Sequence, residues 1–220
     1  MMDNIKGILF DMDGTVLDSE GLFEKAQLLL LEEYNVFSNK NQLEEFKGMS
    51  YKYFYPQFMK KFSLSGNTES IRLKLRTYLH NIMEENLKFI NGFENFYKSS
   101  IQNTNLKIGL VTNTTRLTYQ KIQKIINIDD YFNYVLTVTE ANKPKPSPEP
   151  YLQAMEYLSL SAKQTLIIED SKTGLLSGIQ SKANVIGITT SLTKKQINNI
   201  DKNIIVANSY NDINQYLKYN

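Results

Sequence analysis

The sequence predicts an α/β fold: a doubly wound parallel sheet with an inserted all-helical domain. From residue 106 onward, short apolar runs alternate with segments whose apolar residues recur at helical spacing, as in strand–helix–strand units. The long segment after the first strand shows helical spacing throughout and no run of strand type. We therefore expect core segments at 1–17 and 89–220, interrupted by a helical cap at 18–88.

The elements follow from apolar runs and from the residues that interrupt them. The expected strands lie at residues 8–10, 107–111, 134–138, 165–168, 185–188 and 204–206. The expected helices lie near residues 19–34, 43–46, 50–62, 71–82, 116–127, 150–158, 172–183 and 193–200, with a last one from 210 onward. Asp18 or Ser19 is expected to cap the first helix, and Ser209 with Asp212 resembles a capping box for the last.

The composition excludes several classes of function. Lys and Arg total 25 against 23 Asp and Glu, and no basic block stands out, so we expect no nucleic acid partner. The chain has no Cys and a single His, His80, which excludes disulfides, zinc–thiolate sites and His-rich metal sites.

The distribution of apolar residues predicts a soluble, cytoplasmic protein. The longest apolar run, residues 28–31, is far too short to cross a membrane, and no signal peptide is visible. No long apolar stripe is left over once the core is assigned, so we expect a monomer without a membrane partner.

Two carboxylates follow the first strand directly. Asp11 and Asp13 come after the apolar run 8–10, and strand alternation would place them on the same side. Two unpaired carboxylates at the end of a buried strand are unfavourable, so a cation should neutralise them. A divalent metal with oxygen ligands is the natural candidate, while an ordinary turn with Gly14 is the simpler alternative.

The other strands also end in polar groups. Thr112 and Asn113 follow the second strand, the Pro-rich loop 143–151 carries two lysines, and Glu169 and Asp170 follow the strand at 165–168. Ligands of open parallel sheets bind outside the carboxyl ends of the strands. Each group alone fits a helix cap or turn. Their joint occurrence at strand ends favours one site for an anion and a metal.

Four motifs resemble those of the haloacid dehalogenase-like (HAD) hydrolase superfamily. Asp-Met-Asp-Gly-Thr-Val-Leu-Asp-Ser (11–19) is similar to its first motif, and Val-Thr-Asn-Thr (111–114) to its second. Lys-Pro-Ser-Pro-Glu-Pro-Tyr (145–151) and Ile-Glu-Asp-Ser-Lys-Thr-Gly (168–174) are similar to the third and fourth. The order agrees and essentially the whole chain is covered. The resemblance implies a Rossmann-like core with a small helical cap, in the phosphatase/β-phosphoglucomutase-like branch.

The resemblance also implies roles for the acidic residues. Asp11 would attack phosphorus and form an aspartyl-phosphate, and Asp13 would protonate the leaving oxygen and then take a proton from water. Mg²⁺ would be held by Asp11, by the Asp13 carbonyl and by Asp170. Glu169 would help directly or through water.

Further residues of the resemblance would bind the phosphoryl group. Thr112 would donate a hydrogen bond to a phosphoryl oxygen, and Asn113 would donate through its backbone. Lys145 would neutralise charge on the nucleophile; Pro148 and Tyr151 favour it over Lys143.

The cap is expected to select the substrate, and two of its residues are candidates for contacting it. Lys47 and Ser50 lie in a segment, 46–50, that resembles the loop which lowers side chains onto the leaving group in capped relatives. An ordinary turn between helices fits the same segment equally well.

These observations predict a Mg²⁺-dependent phosphatase acting on a small phosphorylated metabolite. A mutase of the β-phosphoglucomutase type is disfavoured because Phe23 stands where that family has His. Asp13 disfavours a dehalogenase, and also a non-catalytic phospho-ligand binding protein, because neither needs this acid/base. A phosphonate hydrolase needs a Schiff-base lysine in the cap, for which Lys25 is in the right helix.

Overall fold

A computed structural model describes residues 4–46, 49 and 51–219. Six parallel strands form one sheet in the order β3-β2-β1-β4-β5-β6. The strands are β1 (Gly7–Phe10), β2 (Lys107–Val111), β3 (Tyr134–Leu136), β4 (Thr165–Glu169), β5 (Asn184–Ile188) and β6 (Ile205–Ala207). This confirms the predicted doubly wound parallel sheet.

The central strand β1 is buried on both of its faces. Its residues pair with β2 on one side and with β4 on the other. Ile8 and Phe10 pack into the cluster that includes residues of the inserted helices, and Leu9 packs into the cluster on the opposite face. The strand order reverses between β1 and β4, which makes their carboxyl ends the switch point where ligands bind in open α/β sheets.

Helices cover both faces of the sheet and form the insert after β1. They are α1 (Glu20–Glu33), α2 (Tyr51–Lys61), α3 (Thr68–Asn86), α4 (Phe93–Ser100), α5 (Arg116–Ile125), α6 (Glu149–Tyr157), α7 (Lys172–Gln180), α8 (Lys194–Ile200) and α9 (Tyr210–Tyr219). Among the described residues, no helix is long and apolar enough to cross a membrane.

One helix prediction was wrong, and one helix was not predicted. The segment near 43–46 forms two short 3-10 helices, Lys40–Gln42 and Glu44–Phe46, instead of an α-helix. The helix α4 was not predicted, because its eight residues are too few to show a clear period. Gly92, with φ of 87°, turns the chain into it.

The capping predictions were partly wrong. Ser19 precedes α1, but its side chain makes no cap hydrogen bond and donates to Asp13 Oδ1 at 2.6 Å. Asp18 forms an ion pair with Lys88 instead. At the last helix, the Asp212 N–H donates to Ser209 Oγ at 3.4 Å. The Asp212 carboxylate accepts from the N–H one residue earlier than a capping box requires.

The inserted helices leave and rejoin the sheet domain through two paired segments. The Asp18 N–H donates to the Lys88 carbonyl at 2.9 Å, and the Ile90 N–H donates to the Val16 carbonyl at 2.8 Å. Between these segments α1 packs on α3, and an aromatic cluster closes the block. This cluster contains Phe46, Phe54, Phe58 and Phe62. The predicted boundaries between core and cap, at 17/18 and 88/89, stay a prediction. Both of them lie beside these paired segments.

An aromatic group joins β1 to the helices on one face of the sheet. Phe93 is fully buried, and its ring centroid lies 5.8 Å from that of Phe10, 5.2 Å from Tyr131 and 5.5 Å from Tyr210. Truncation of the Phe93 side chain would open a cavity beneath β1, the strand that Asp11 follows.

We predict that Phe93→Ala lowers the free energy of unfolding by about 3–5 kcal/mol, because it removes buried area and leaves a cavity. Phe37 is 95% exposed, so the matched variant Phe37→Ala should change it by less than about 0.5 kcal/mol. Urea unfolding followed by circular dichroism measures both values. Equal losses in the two variants would contradict this packing.

Candidate active site

A cavity of about 140 Å³ lies between the carboxyl edge of the sheet and the inserted helices. Its floor contains residues that directly follow strands: Asp11 and Asp13 after β1, and Thr112 after β2. Lys145, from the loop between β3 and α6, completes this floor. The structure thus brings together four of the candidate residues from segments far apart in the chain.

Lys145 is the buried cation of the site. Its side chain is 2% exposed, and Nζ donates to Asp11 Oδ1 at 2.6 Å, to Glu169 Oε1 at 2.7 Å and to the Val111 carbonyl at 2.7 Å. These acceptors use all three ammonium donors. Burial lowers the pKa of Lys145, but the carboxylates of Asp11 and Glu169 outweigh burial and raise it above the usual value. The group therefore stays charged.

The Pro-rich loop places Lys145, and not Lys143, in the site. Lys143 is exposed. The Asn113 side chain holds the loop in place, because its Oδ1 accepts the Lys145 N–H at 3.0 Å and its Nδ2 donates to the Lys145 carbonyl at 3.3 Å. Asn113 thus serves the site through its side chain as well as lying on the cavity wall.

The Asp13 carboxylate is held by hydroxyl groups. Oδ1 accepts from Ser19 at 2.6 Å, and Oδ2 accepts from Thr114 Oγ1 at 2.8 Å. Thr112 Oγ1 lies at a looser 3.5 Å from Oδ2, and itself accepts the Thr114 N–H at 2.9 Å. Sequence reasoning missed the roles of Ser19 and Thr114, although both lie in the quoted motifs, because either could equally have capped a helix.

Glu169 is fully buried and both of its carboxylate oxygens are engaged. Oε1 accepts from Lys145 and from the Tyr151 hydroxyl at 2.9 Å. Oε2 accepts the N–H groups of Asp170 at 3.1 Å and Ser171 at 3.2 Å. A Cβ at Gly174 would overlap this carboxylate, so a residue larger than glycine would displace it.

Three carboxylates converge beside Lys145. One oxygen from each of Asp11, Glu169 and Asp170 lies within 4.8 Å of the others, and all three residues are buried. Ser191 donates to Asp170 Oδ2, and Gly14, with φ of 77°, approaches so closely that a Cβ there would overlap the Asp170 carboxylate. The backbone turn after β1 therefore depends on glycine.

The electrostatics of this cluster favour an additional cation. Burial raises the pKa of Asp11 well above its usual value; Glu169, Asp170 and Asp13 raise it further, and Lys145 opposes them. One contacting ammonium does not balance three carboxylates. A set of hard oxygen donors with excess negative charge fits a divalent metal ion.

The two cap residues that the sequence suggested for substrate contact, Lys47 and Ser50, lie outside the described residues. Several cap residues that sequence reasoning did not select line the cavity instead, among them Phe23, Tyr55, Arg72 and Arg76. Their helical spacing suits a cap core equally well, so only the tertiary arrangement distinguishes them.

Comparisons with known proteins find a matching family and relatives named as phosphatases. Residues 8–188 match the family described as haloacid dehalogenase-like hydrolase. Pyrophosphatase PpaX of Oceanobacillus iheyensis is 27% identical over 191 residues, which cover 86% of this chain and 86% of that protein. Phosphorylated carbohydrates phosphatase of Thermotoga maritima is 22% identical over 171 residues, covering 78% and 79%.

A solved structure shows the same fold. The HAD hydrolase, family IA, variant 3 from Entamoeba histolytica superposes with a TM-score of 0.84, at 16% identity, over 97% of this chain and 100% of that one. The family match includes residues 11–174, which contain the four motifs, and confirms the resemblance to the superfamily. The chain belongs to the haloacid dehalogenase-like hydrolase family.

Proposed function

We propose that the protein is a Mg²⁺-dependent phosphatase that hydrolyses a small phosphomonoester through an aspartyl-phosphate on Asp11. One observation carries the proposal: a buried aspartate, a buried lysine that contacts it and a second, hydroxyl-bonded aspartate meet at the floor of one cavity. They supply a nucleophile, a neutralising cation and a proton-transfer group. Relatives named as phosphatases support the same reaction class.

In the first half-reaction, the Asp11 carboxylate attacks phosphorus. The bond between phosphorus and the ester oxygen breaks, and Asp13 gives its proton to the departing oxygen, so the alcohol leaves and the phosphoryl group remains on Asp11. Lys145, 2.6 Å from Asp11 Oδ1, orients the nucleophile and offsets negative charge.

Two groups after β2 bind the phosphoryl oxygens during this step. The Thr112 hydroxyl donates only a long hydrogen bond of 3.5 Å to Asp13 Oδ2, so its proton can turn to a phosphoryl oxygen when substrate is bound. Asn113 donates through its backbone N–H.

In the second half-reaction, a water molecule attacks the aspartyl-phosphate at phosphorus. Asp13, now deprotonated, takes a proton from this water, the bond between phosphorus and the Asp11 oxygen breaks, and inorganic phosphate leaves. Asp13 ends protonated and Asp11 ionised, so both residues are ready for the next turnover. The hydrogen bonds from Ser19 and Thr114 keep Asp13 oriented through both steps.

We assign the metal to the carboxylates of Asp11 and Asp170 and the main-chain carbonyl of Asp13. Glu169, both of whose oxygens already accept protein hydrogen bonds, would add negative charge beside the metal, directly or through a water molecule. When bound, Mg²⁺ neutralises the phosphoryl oxygens and stabilises charge in the transition state.

Two alternative activities fit the cavity less well. Phe23 lines it at the position where the mutase family has His, and a phenyl ring transfers no proton. Lys25 is exposed, whereas a Schiff-base lysine of a phosphonate hydrolase has to face the substrate. Hydrolysis of a phosphomonoester remains the activity that the arrangement supports best.

The first prediction concerns the nucleophile. Asp11→Asn should lower kcat for p-nitrophenyl phosphate by about 10³-fold or more, because the amide does not form the covalent intermediate. Asp18→Asn, the same change at an exposed residue of the same motif, should leave kcat within about 2-fold. Steady-state assays in Mg²⁺ decide. Robust turnover by Asp11→Asn would refute the assignment.

The second prediction concerns the proton-transfer group. Asp13→Asn should lower steady-state kcat by about 10²–10⁴-fold while metal binding persists. The leaving group p-nitrophenolate needs no proton, so this variant should still release one equivalent of p-nitrophenol in a burst and then stall at the aspartyl-phosphate. Stopped-flow absorbance measures the burst. Unchanged steady-state rates would remove the acid/base role.

The third prediction concerns the metal, with a readout that does not depend on activity. Mg²⁺ at about 100 times its dissociation constant should stabilise the protein by about 2.7 kcal/mol, seen as a higher melting temperature. Asp170→Asn should abolish this rise, and the exposed control Asp130→Asn should keep it. A chelator should abolish wild-type activity reversibly. A Mg²⁺-dependent rise that persists in Asp170→Asn would contradict the assigned ligands.

A further inference from the structure

The helix α3 lines the cavity with one face. Arg72, Leu75, Arg76, Leu79 and Met83 all contribute to the wall, and their spacing of three or four residues places them along one stripe. The wall opposite the catalytic floor therefore contains two guanidinium groups.

The rest of that wall is mainly apolar. Phe23, Phe46, Met49 and Phe54 line it together with the apolar residues of α3, and Tyr55 adds a hydroxyl. A ligand with its phosphate at the floor would thus contact mainly apolar side chains of the cap. Two positive groups and one hydroxyl stand on that cap side.

The charge of Arg76 is uncompensated in the part of the chain that the structure describes. There, its guanidinium makes no hydrogen bond and no ion pair with a carboxylate. By contrast, Lys74 of the same helix pairs with Glu33 of α1, and Arg72 pairs with Glu69 at 3.3 Å. Since Glu69 is 71% exposed, the latter pair is weak.

Tyr55 adds a neutral donor beside these arginines. Burial raises the pKa of Tyr55 to about 12, although Arg72 and Arg76 oppose this, so the phenol keeps its proton. Its ring packs on Phe54, and its hydroxyl makes no hydrogen bond to any described residue. The unpaired guanidinium of Arg76 and the hydroxyl of Tyr55, which line the same wall, favour an anionic ligand.

We propose that Arg76, with Tyr55, binds a second anionic group of the substrate. The substrate class is then a small phosphomonoester whose far end carries a carboxylate or a second phosphate. This inference rests on the proposed phosphatase function of the cavity floor. A guanidinium binds either anion through two parallel hydrogen bonds, which gives a reason for the position of Arg76 within a mainly apolar wall.

The experiment compares substrates that differ only in the second charge. One series consists of ω-carboxyalkyl phosphates of increasing chain length, starting from phosphoglycolate, each paired with its primary amide. The second series consists of α,ω-alkanediol bisphosphates, each paired with the ω-hydroxyalkyl monophosphate that lacks the second group. The ratio of kcat/KM within each pair is measured in Mg²⁺ for the wild type, Arg76→Gln and the control Lys74→Gln.

We expect the wild type to prefer the charged member by about 10- to 100-fold at one or more chain lengths. Whichever series shows the larger ratio identifies carboxylate or phosphate as the second anion. Arg76→Gln should reduce the preference below about 3-fold and leave the neutral substrates within about 3-fold of wild type. Lys74→Gln, the same charge change on a side chain that pairs with α1, should keep the full preference.

Two outcomes overturn the inference: no preference for the charged member at any length in either series, or an equal loss for charged and neutral substrates in Arg76→Gln. The neutral substrates also report whether the variant is folded. If wild type hydrolyses neither these esters nor p-nitrophenyl phosphate, the proposed function fails separately. Calorimetry with phosphonoacetate and its amide then decides the subsite: tighter acid binding that requires Arg76 supports it, and equal binding overturns it.

Discussion

The candidate active site depends on the contacts of one buried cation, the ammonium group of Lys145. It contacts Asp11 after β1, Glu169 at the end of β4 and the carbonyl of Val111 at the end of β2. Three strands therefore meet at one cation. Removing that cation would leave buried carboxylates without compensation, which is strongly unfavourable. The Asn113 side chain accepts the main-chain N–H of Lys145 and so fixes the Pro-rich loop that carries this ammonium group.

The two sides of the cavity are formed by different kinds of structure. The floor comes from strand ends, whose positions the sheet hydrogen bonds fix to one another, and this suits chemistry that tolerates little displacement. The opposite wall comes from several helices of the insert, which joins the sheet domain through two short paired segments. Ser19 lies where α1 begins and hydrogen-bonds Asp13, so the start of the insert also contacts the catalytic floor.

The sequence predicted the six strands and the convergence of Asp11, Asp13, Thr112 and Lys145 at one edge of the sheet, because both follow from local signals. Apolar runs marked the six strands, and a strand's carboxyl end is the known place for ligands. Other features depend on the tertiary structure. Ser19 was expected to cap a helix, because the local pattern contains no trace of Asp13 as a competing acceptor. Arg72 and Arg76 follow a helical period that is the same whether the face meets solvent, core or cavity.

The central claim is that Asp11 carries the phosphoryl group between two displacements, and phosphorus stereochemistry tests it most directly. A phosphomonoester made chiral at phosphorus with oxygen isotopes, hydrolysed by the wild type in Mg²⁺, gives phosphate whose configuration can be read. Two in-line displacements, first by Asp11 and then by water, predict net retention. Net inversion would show that water attacks the substrate directly and would contradict the account.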